Sequence, residues 1–206
     1  MIWLLYVPLN LLIMLVCYIT NPIVVLFATE TGELKGFLNY WQTHDDSLDP
    51  AFFVKEKVPS FLRYDWDRHY VEYEYTTDRL RALGRTRWFV RLKDSNFTIK
   101  ERIQRYFCRV LWLTRNCGYG FSFYWFGKLV EGMDVRLIEE TDGDGLSEKL
   151  AYDPAKSILT RPWMYKNTRK ICSWLRWEIF CGWKIDTSST IPQQCMIANR
   201  IAVRFL

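Results

Sequence analysis

The run MIWLLYVPLNLLIMLVCYITNPIVVLFAT, Met1 to Thr29, holds no charged side chain. A helix needs about 20 predominantly apolar residues to cross the hydrocarbon of a bilayer, so segment 1–29 is expected to be a membrane anchor. Trp3 and Tyr6 at one end and Tyr18 at the other stand where aromatic side chains settle at a membrane–water interface, and they are read as the anchor's interfacial residues. Pro8, Asn10 and Asn21-Pro22 interrupt the pattern. Because proline removes an amide donor, they permit a second reading, in which the helix bends at Thr20 to Pro22 and Ile23 to Ala28 dip back along the interface. No Lys or Arg precedes the apolar core and no A-x-A pattern follows it, which argues against a cleaved signal peptide. A buried core helix ended by Pro22 is the soluble alternative.

The rest of the chain must then be read against that anchor. Its 206 residues suit one domain of ordinary size plus an anchor. Half are hydrophobic and a quarter charged, which excludes a disordered, collagenous or coiled-coil chain. Aromatic residues reach 17%, more than a core of this size needs, and such an excess points to interfaces with lipid or with partners. The net charge of +5 is unevenly spread: residues 61–130 carry fourteen Lys and Arg against seven acids, whereas residues 1–60 carry three against six. A basic middle third favours anionic partners, membrane lipid before nucleic acid. The six cysteines include no C-x-x-C, so zinc-ribbon spacing is absent and reduced, cytosol-facing thiols are expected.

Residues 30–60 contain Thr31-Gly32, Gly36, His44-Asp45-Asp46 and Asp49-Pro50, and read as an irregular acidic connector. Residues 61–206 form the expected basic, aromatic-rich domain. Alternation predicts strands from Tyr70 to Tyr75 and Thr86 to Lys93, joined through a helical turn at Asp78 to Leu83. Thr98 and Glu101 form a capping-box pair that opens a helix stopped by Asn116 and Gly118. On it Ile103, Phe107, Val110 and Leu111 make one stripe, and Arg102, Arg105 and Arg109 another. Further strands are expected at Phe121 to Phe126, at Val135 to Glu140 before a turn at Asp142 to Gly145, at Leu175 to Ile185, and at Ile201 to Phe205. The expected fold class is α+β: an N-terminal apolar helix, then a small, mostly antiparallel sheet packed with one amphipathic helix.

Chemistry is thinly signalled. A metal-dependent hydrolase would need His44, Asp46, Asp67 and His69, yet their spacing matches no ligand motif. The stretch Glu140 to Gly145 resembles the start of a calcium loop, but the closing Glu is replaced by Ala151, so a hairpin turn is expected instead. No phosphate loop, nucleophile elbow or H-E-x-x-H is present, and no cofactor is implied. Arg102, Arg105 and Arg109 are read as contacts to an anionic membrane surface. Arg87, Phe89 and Arg91 would suit a single-strand nucleic-acid platform, unless Glu72 and Glu74 pair with the arginines across the sheet.

The blocks YWQTHDDSLD, Tyr40 to Asp49, and RVLWLTRNCGYGF, Arg109 to Phe121, resemble those shared by an uncharacterised family of tailed-phage and prophage proteins. The resemblance implies viral origin and no reaction. With the anchor and the aromatic excess, it leads to the expectation of a phage-encoded, non-enzymatic interaction protein at the host inner membrane, its C-terminal domain cytoplasmic and its partners lipid and a host or phage protein. A virion-associated or host-factor-binding protein whose apolar segment packs against protein is the alternative. Within the blocks, Asp45, Asp46 and Asp49 are expected to dock on the helix end, one of them paired with Arg115 and covered by Trp41, because exposed helix-end carbonyls favour a cation there.

Overall fold

The computed structural model describes residues 2–43, 47–75, 87–129, 135–141, 145–152, 164–172, 175–185 and 194–205. The chain is α+β, with an N-terminal apolar helix followed by small antiparallel sheets and further helices. Its residues gather into two compact units, one of residues 1–12 and 121–206, the other of residues 13–120. The divisions between these units fall after residues 12 and 120.

Helix α1, Ile2–Val25, contributes its first residues to one unit and the remainder to the other. It runs unbroken through Pro8 and Pro22, so Ile23 to Val25 continue the helix beyond Pro22. Each proline deletes a single amide donor, and in an apolar run the remaining amides have no better acceptor than the helix itself. The turn beyond Val25 closes with Leu26, Phe27 and Ala28 amides donating three residues back.

In the unit of residues 13–120, the connector contributes to the core. It forms a 3-10 helix at Gly36–Trp41, a π turn at Phe53–Lys57 and a 3-10 turn at Ser60–Leu62, and buries Leu48, Val54 and Val58. A single-turn helix α2, Trp66–His69, is capped by Asp65, whose carboxylate accepts the Arg68 amide. Strand β1, Tyr70–Tyr75, pairs antiparallel with β2, Arg87–Leu92. Their register places Glu72 opposite Val90 and Glu74 opposite Trp88, while Arg91 opposes Val71 and Arg87 opposes Tyr75. Directly opposed residues share a face, so Glu72 and Arg91 lie on opposite faces of the ladder and do not oppose each other. The turn expected at Asp78 to Leu83 lies outside the described residues.

Helix α3, Ile99–Arg115, starts at the expected capping box: the Glu101 amide donates to Thr98 Oγ1 and the Thr98 amide to Glu101 Oε2. It ends at Asn116, and Gly118 follows with φ +60°, the left-handed conformation glycine adopts without strain.

In the other unit, strands β3 (Lys128–Leu129), β4 (Val135–Thr141), β5 (Gly145–Tyr152), β6 (Met164–Cys172), β7 (Leu175–Ile185) and β8 (Gln194–Phe205) form one antiparallel sheet ordered β3-β8-β7-β6-β5-β4. The fully buried Trp183 and Ile197 face each other across β7 and β8. The segment Phe121–Trp125 is a π helix and not the expected strand. Its aromatic run satisfies either period, and burial of Ser122, which accepts a hydrogen bond from Asn10 at 2.9 Å, goes with the helical form. Residues 142–144, and with them the calcium-loop reading, lie outside the described residues; β4 and β5 pair antiparallel on either side.

Candidate functional site

The centre of the unit of residues 13–120 is one carboxylate. Asp49 is fully buried at the end of the connector and accepts six hydrogen bonds. Arg109 supplies two, Nε to Oδ1 at 2.8 Å and Nη2 to Oδ2 at 2.5 Å. Arg105, one turn earlier on α3, supplies two more to Oδ2, at 3.2 and 3.0 Å. The hydroxyls of Tyr64 and Tyr70 donate the last two, at 3.3 Å to Oδ1 and 2.6 Å to Oδ2. Local turns hold the residue in place: its amide donates to Ser47 Oγ, and Trp66 Nε1 donates to its carbonyl at 2.7 Å.

Two guanidinium groups on one carboxylate leave an excess positive charge inside the protein. Backbone carbonyls take it up, with Arg105 Nη2 donating to Glu30 O and Arg109 Nη1 and Nη2 reaching Thr29 O and Glu30 O. The Arg105 guanidinium also lies over the faces of Phe97, at 4.4 Å, and Tyr70, at 5.4 Å. Burial pushes the Asp49 carboxyl upward, but the charge and hydrogen bonds of Arg109, then Arg105 and Tyr70, outweigh it and hold the group down to about 2. Burial and the Asp49 charge raise both tyrosines well above their ordinary value. Gly32 closes the cluster at φ +89°, where a Cβ would stand 2.5 Å from Ser47 Oγ and 2.9 Å from Asp49 Oδ2. With its oxygens fully engaged, the carboxylate is suited to holding chain segments together.

This arrangement corrects one expectation and the Asp49 part of another. Arg105 and Arg109 are buried and paired, so they do not contact an anionic surface; of the three arginines only Arg102 is exposed. The partner of Asp49 is the Arg105–Arg109 pair and not Arg115, which is exposed and lies 5.9 Å over the Phe53 ring. An ion pair as buried as Asp49 needs cations that can follow it inside, and i,i+4 arginines on the inward side of α3 supply them. Asp45, Asp46 and His44 lie outside the described residues. Trp41 is buried against α1, with Nε1 donating to Thr20 Oγ1 at 3.0 Å.

The interfacial residues assigned to the anchor also separate. In its own unit Trp3 Nε1 donates to Gly182 O at 3.0 Å, and the Tyr6 ring packs on Phe126 and Trp183. Both are half-buried in these contacts, Gly182 and Trp183 belonging to β7 and Phe126 following the π helix. Tyr18 is exposed. Of the hydrolase residues, Asp67 is exposed and bound to Lys55 at 2.6 Å. His69 is buried and stacked on Phe97, its Nδ1 2.9 Å from Asp94 O and its Nε2 3.3 Å from Glu101 Oε1. Among the described residues no three His, Cys, Asp or Glu side chains are grouped as metal ligands would be.

The two sequence blocks are each other's partners. Arg109 meets Asp49, and the Cβ position of Gly120 lies 2.7 Å from the Tyr40 backbone, so the blocks touch near both ends. A family of unknown function, DUF7338, matches residues 1–204. The chain belongs to DUF7338. No curated protein and no solved structure matches this DUF7338 chain. Sequence reasoning missed Tyr64 and Tyr70 as partners of Asp49, and the signal was faint: tyrosines in an aromatic-rich segment carry no period of their own.

Proposed function

We propose that this DUF7338 protein is a membrane-anchored, non-enzymatic interaction protein, phage-encoded and acting at the host inner membrane with the chain beyond α1 on the cytoplasmic side. The observation that carries the reading is the exposure of α1. Trp3–Val25 is long and apolar enough to cross a membrane, and only 11% of its most apolar window is buried, where the core helix of a soluble protein would be mostly covered. Leucines 4, 5, 9, 12 and 15 all face outward, whereas Asn10 and Asn21 are fully buried. Polar side turned to protein and apolar side turned out is the arrangement a lipid solvent selects.

Viral origin rests on the two blocks quoted above. The basic excess of residues 61–130 and the free thiols of Cys108, Cys117 and Cys172 favour the cytoplasmic side. The saturation of Asp49 favours a structural over a catalytic role for the one buried charge cluster found among the described residues.

Fractionation of bacteria expressing the full chain tests the anchor. The protein is expected in the membrane pellet, resistant to carbonate and high salt and released by detergent. A monodisperse soluble species without detergent would replace this reading with a virion or host-factor-binding protein whose apolar segment packs against protein.

A further inference from the structure

Helix α3 is turned inside out for a protein in water. Its inward side carries Gln104, Arg105, Cys108, Arg109, Trp112 and Leu113, all buried, while Ile99, Ile103, Phe107 and Leu111 are 80, 53, 46 and 38% exposed. These four recur every fourth residue, so they form one continuous stripe along the helix. A water-facing amphipathic helix buries the apolar stripe and exposes the arginines; here the fold spends a buried carboxylate to do the reverse.

We infer that the α3 stripe is a lipid-contacting surface, embedded in the membrane beside α1; this rests on the anchor reading of α1. Three observations fix lipid hydrocarbon as the occupant. First, α1 meets α3 on the side of the stripe: Tyr106 Oη donates to Pro22 O at 3.0 Å, and Asn21 Nδ2 approaches Thr114 Oγ1 at 3.5 Å. At 100° per residue, Thr114 lies between Ile103 and Phe107 around the helix and Tyr106 lies at the stripe's edge. Ile19 and Ile23 of α1 in this unit are likewise exposed, on the side of α1 turned away from Asn21, so both helices present apolar side chains outward. Second, between Arg102 and Arg115 no charged residue of α3 is exposed. The two arginines lie about 20 Å apart along the helix, an apolar length bounded at each end by a cation able to reach headgroups. Third, Ile103 and Phe107 stand exposed on α3 as Leu15, Ile19 and Ile23 do on α1, a grouping of large apolar side chains that marks an interaction surface and not a water-facing one.

The full chain reconstituted into phosphatidylethanolamine–phosphatidylglycerol vesicles tests this directly. A lipid carrying a diazirine in its acyl chain is irradiated and the labelled residues are mapped by mass spectrometry. Labelling at Ile103, Phe107 and Leu111 is expected to match that at Ile19 and Ile23, and to exceed several-fold that at the exposed, charged Glu56. Labelling of α1 without α3 would overturn the inference and leave the anchor standing; labelling of neither would overturn both.

Discussion

Arg109 grips Asp49 with two parallel hydrogen bonds, Nε to Oδ1 at 2.8 Å and Nη2 to Oδ2 at 2.5 Å, in a site closed to water. Removing one member of such a buried pair costs about 3–5 kcal/mol, because it strands the other charge. Arg109→Ala is expected to destabilise the chain by that amount. Among the described residues, Arg115→Ala gives up an exposed cation–π contact of about 0.5–1 kcal/mol. Thermal unfolding in detergent, followed by tryptophan fluorescence, ranks the two; equal effects would remove the pair from the centre of the fold.

The same carboxylate sets an acid limit. Its value is lowered in the folded chain from 3.8 to about 2, so the folded state binds its proton less readily than the unfolded state. The stabilisation is complete above about pH 4 and is lost as pH falls towards 2, amounting to about 2 kcal/mol. Tyr64 and Tyr70 act at the other limit: their raised values mean that stability declines as pH rises beyond 10, where the unfolded phenols ionise first. Asp49→Asn, if it folds, is expected to flatten the acid limb of a denaturation profile, and an unchanged limb would assign it to other groups.

Three glycines separate steric crowding from backbone strain. At Gly120 a Cβ would stand 2.7 Å from the Tyr40 backbone, which cannot rotate away, so Gly120→Ala is expected to cost about 1–3 kcal/mol or more. Gly32→Ala adds a φ of +89° to its crowding against Ser47 and Asp49. Gly36, at φ +60° with nothing within 4 Å, pays only for conformation, about 1 kcal/mol. Melting temperatures of the three variants should place Gly36→Ala nearest the wild type.

The start of α3 offers a smaller, local test. Thr98→Ala removes a cap that accepts the Glu101 amide at 3.2 Å and donates to Glu101 Oε2 at 2.7 Å. A loss of about 1 kcal/mol is expected, partly recovered by Thr98→Ser, which keeps the hydroxyl. A Ser variant no better than Ala would show that the methyl group, and not the cap, carries the effect.

Features whose physics is local were legible in the residues themselves. Thr98 and Glu101 satisfy each other's amides across three residues, β1, β2 and β7 announce themselves by alternation, and α1 by its length without charge. The α+β class followed from these. Strands β5 and β6 and the first half of β8 did not alternate clearly enough to be expected, since their pairing is set by neighbours on either side. Phe121–Trp125 shows the same limit, because an aromatic run fits a strand or a π turn until its surroundings choose.

The sequence by itself determined that α3 has an arginine side and an apolar side, and that an acidic connector must find a cation. Only the tertiary structure decided which side faces inward and which cation is used. Periodicity reports the angle between two stripes on a helix, but which stripe is buried depends on what lies against each: here Asp49, Tyr64 and Tyr70 take the arginine side, while α1 meets the other side through Asn21 and Pro22 and leaves its apolar residues exposed. Those groups come from residues 21–22, 49, 64 and 70, and only the folded chain brings them to α3.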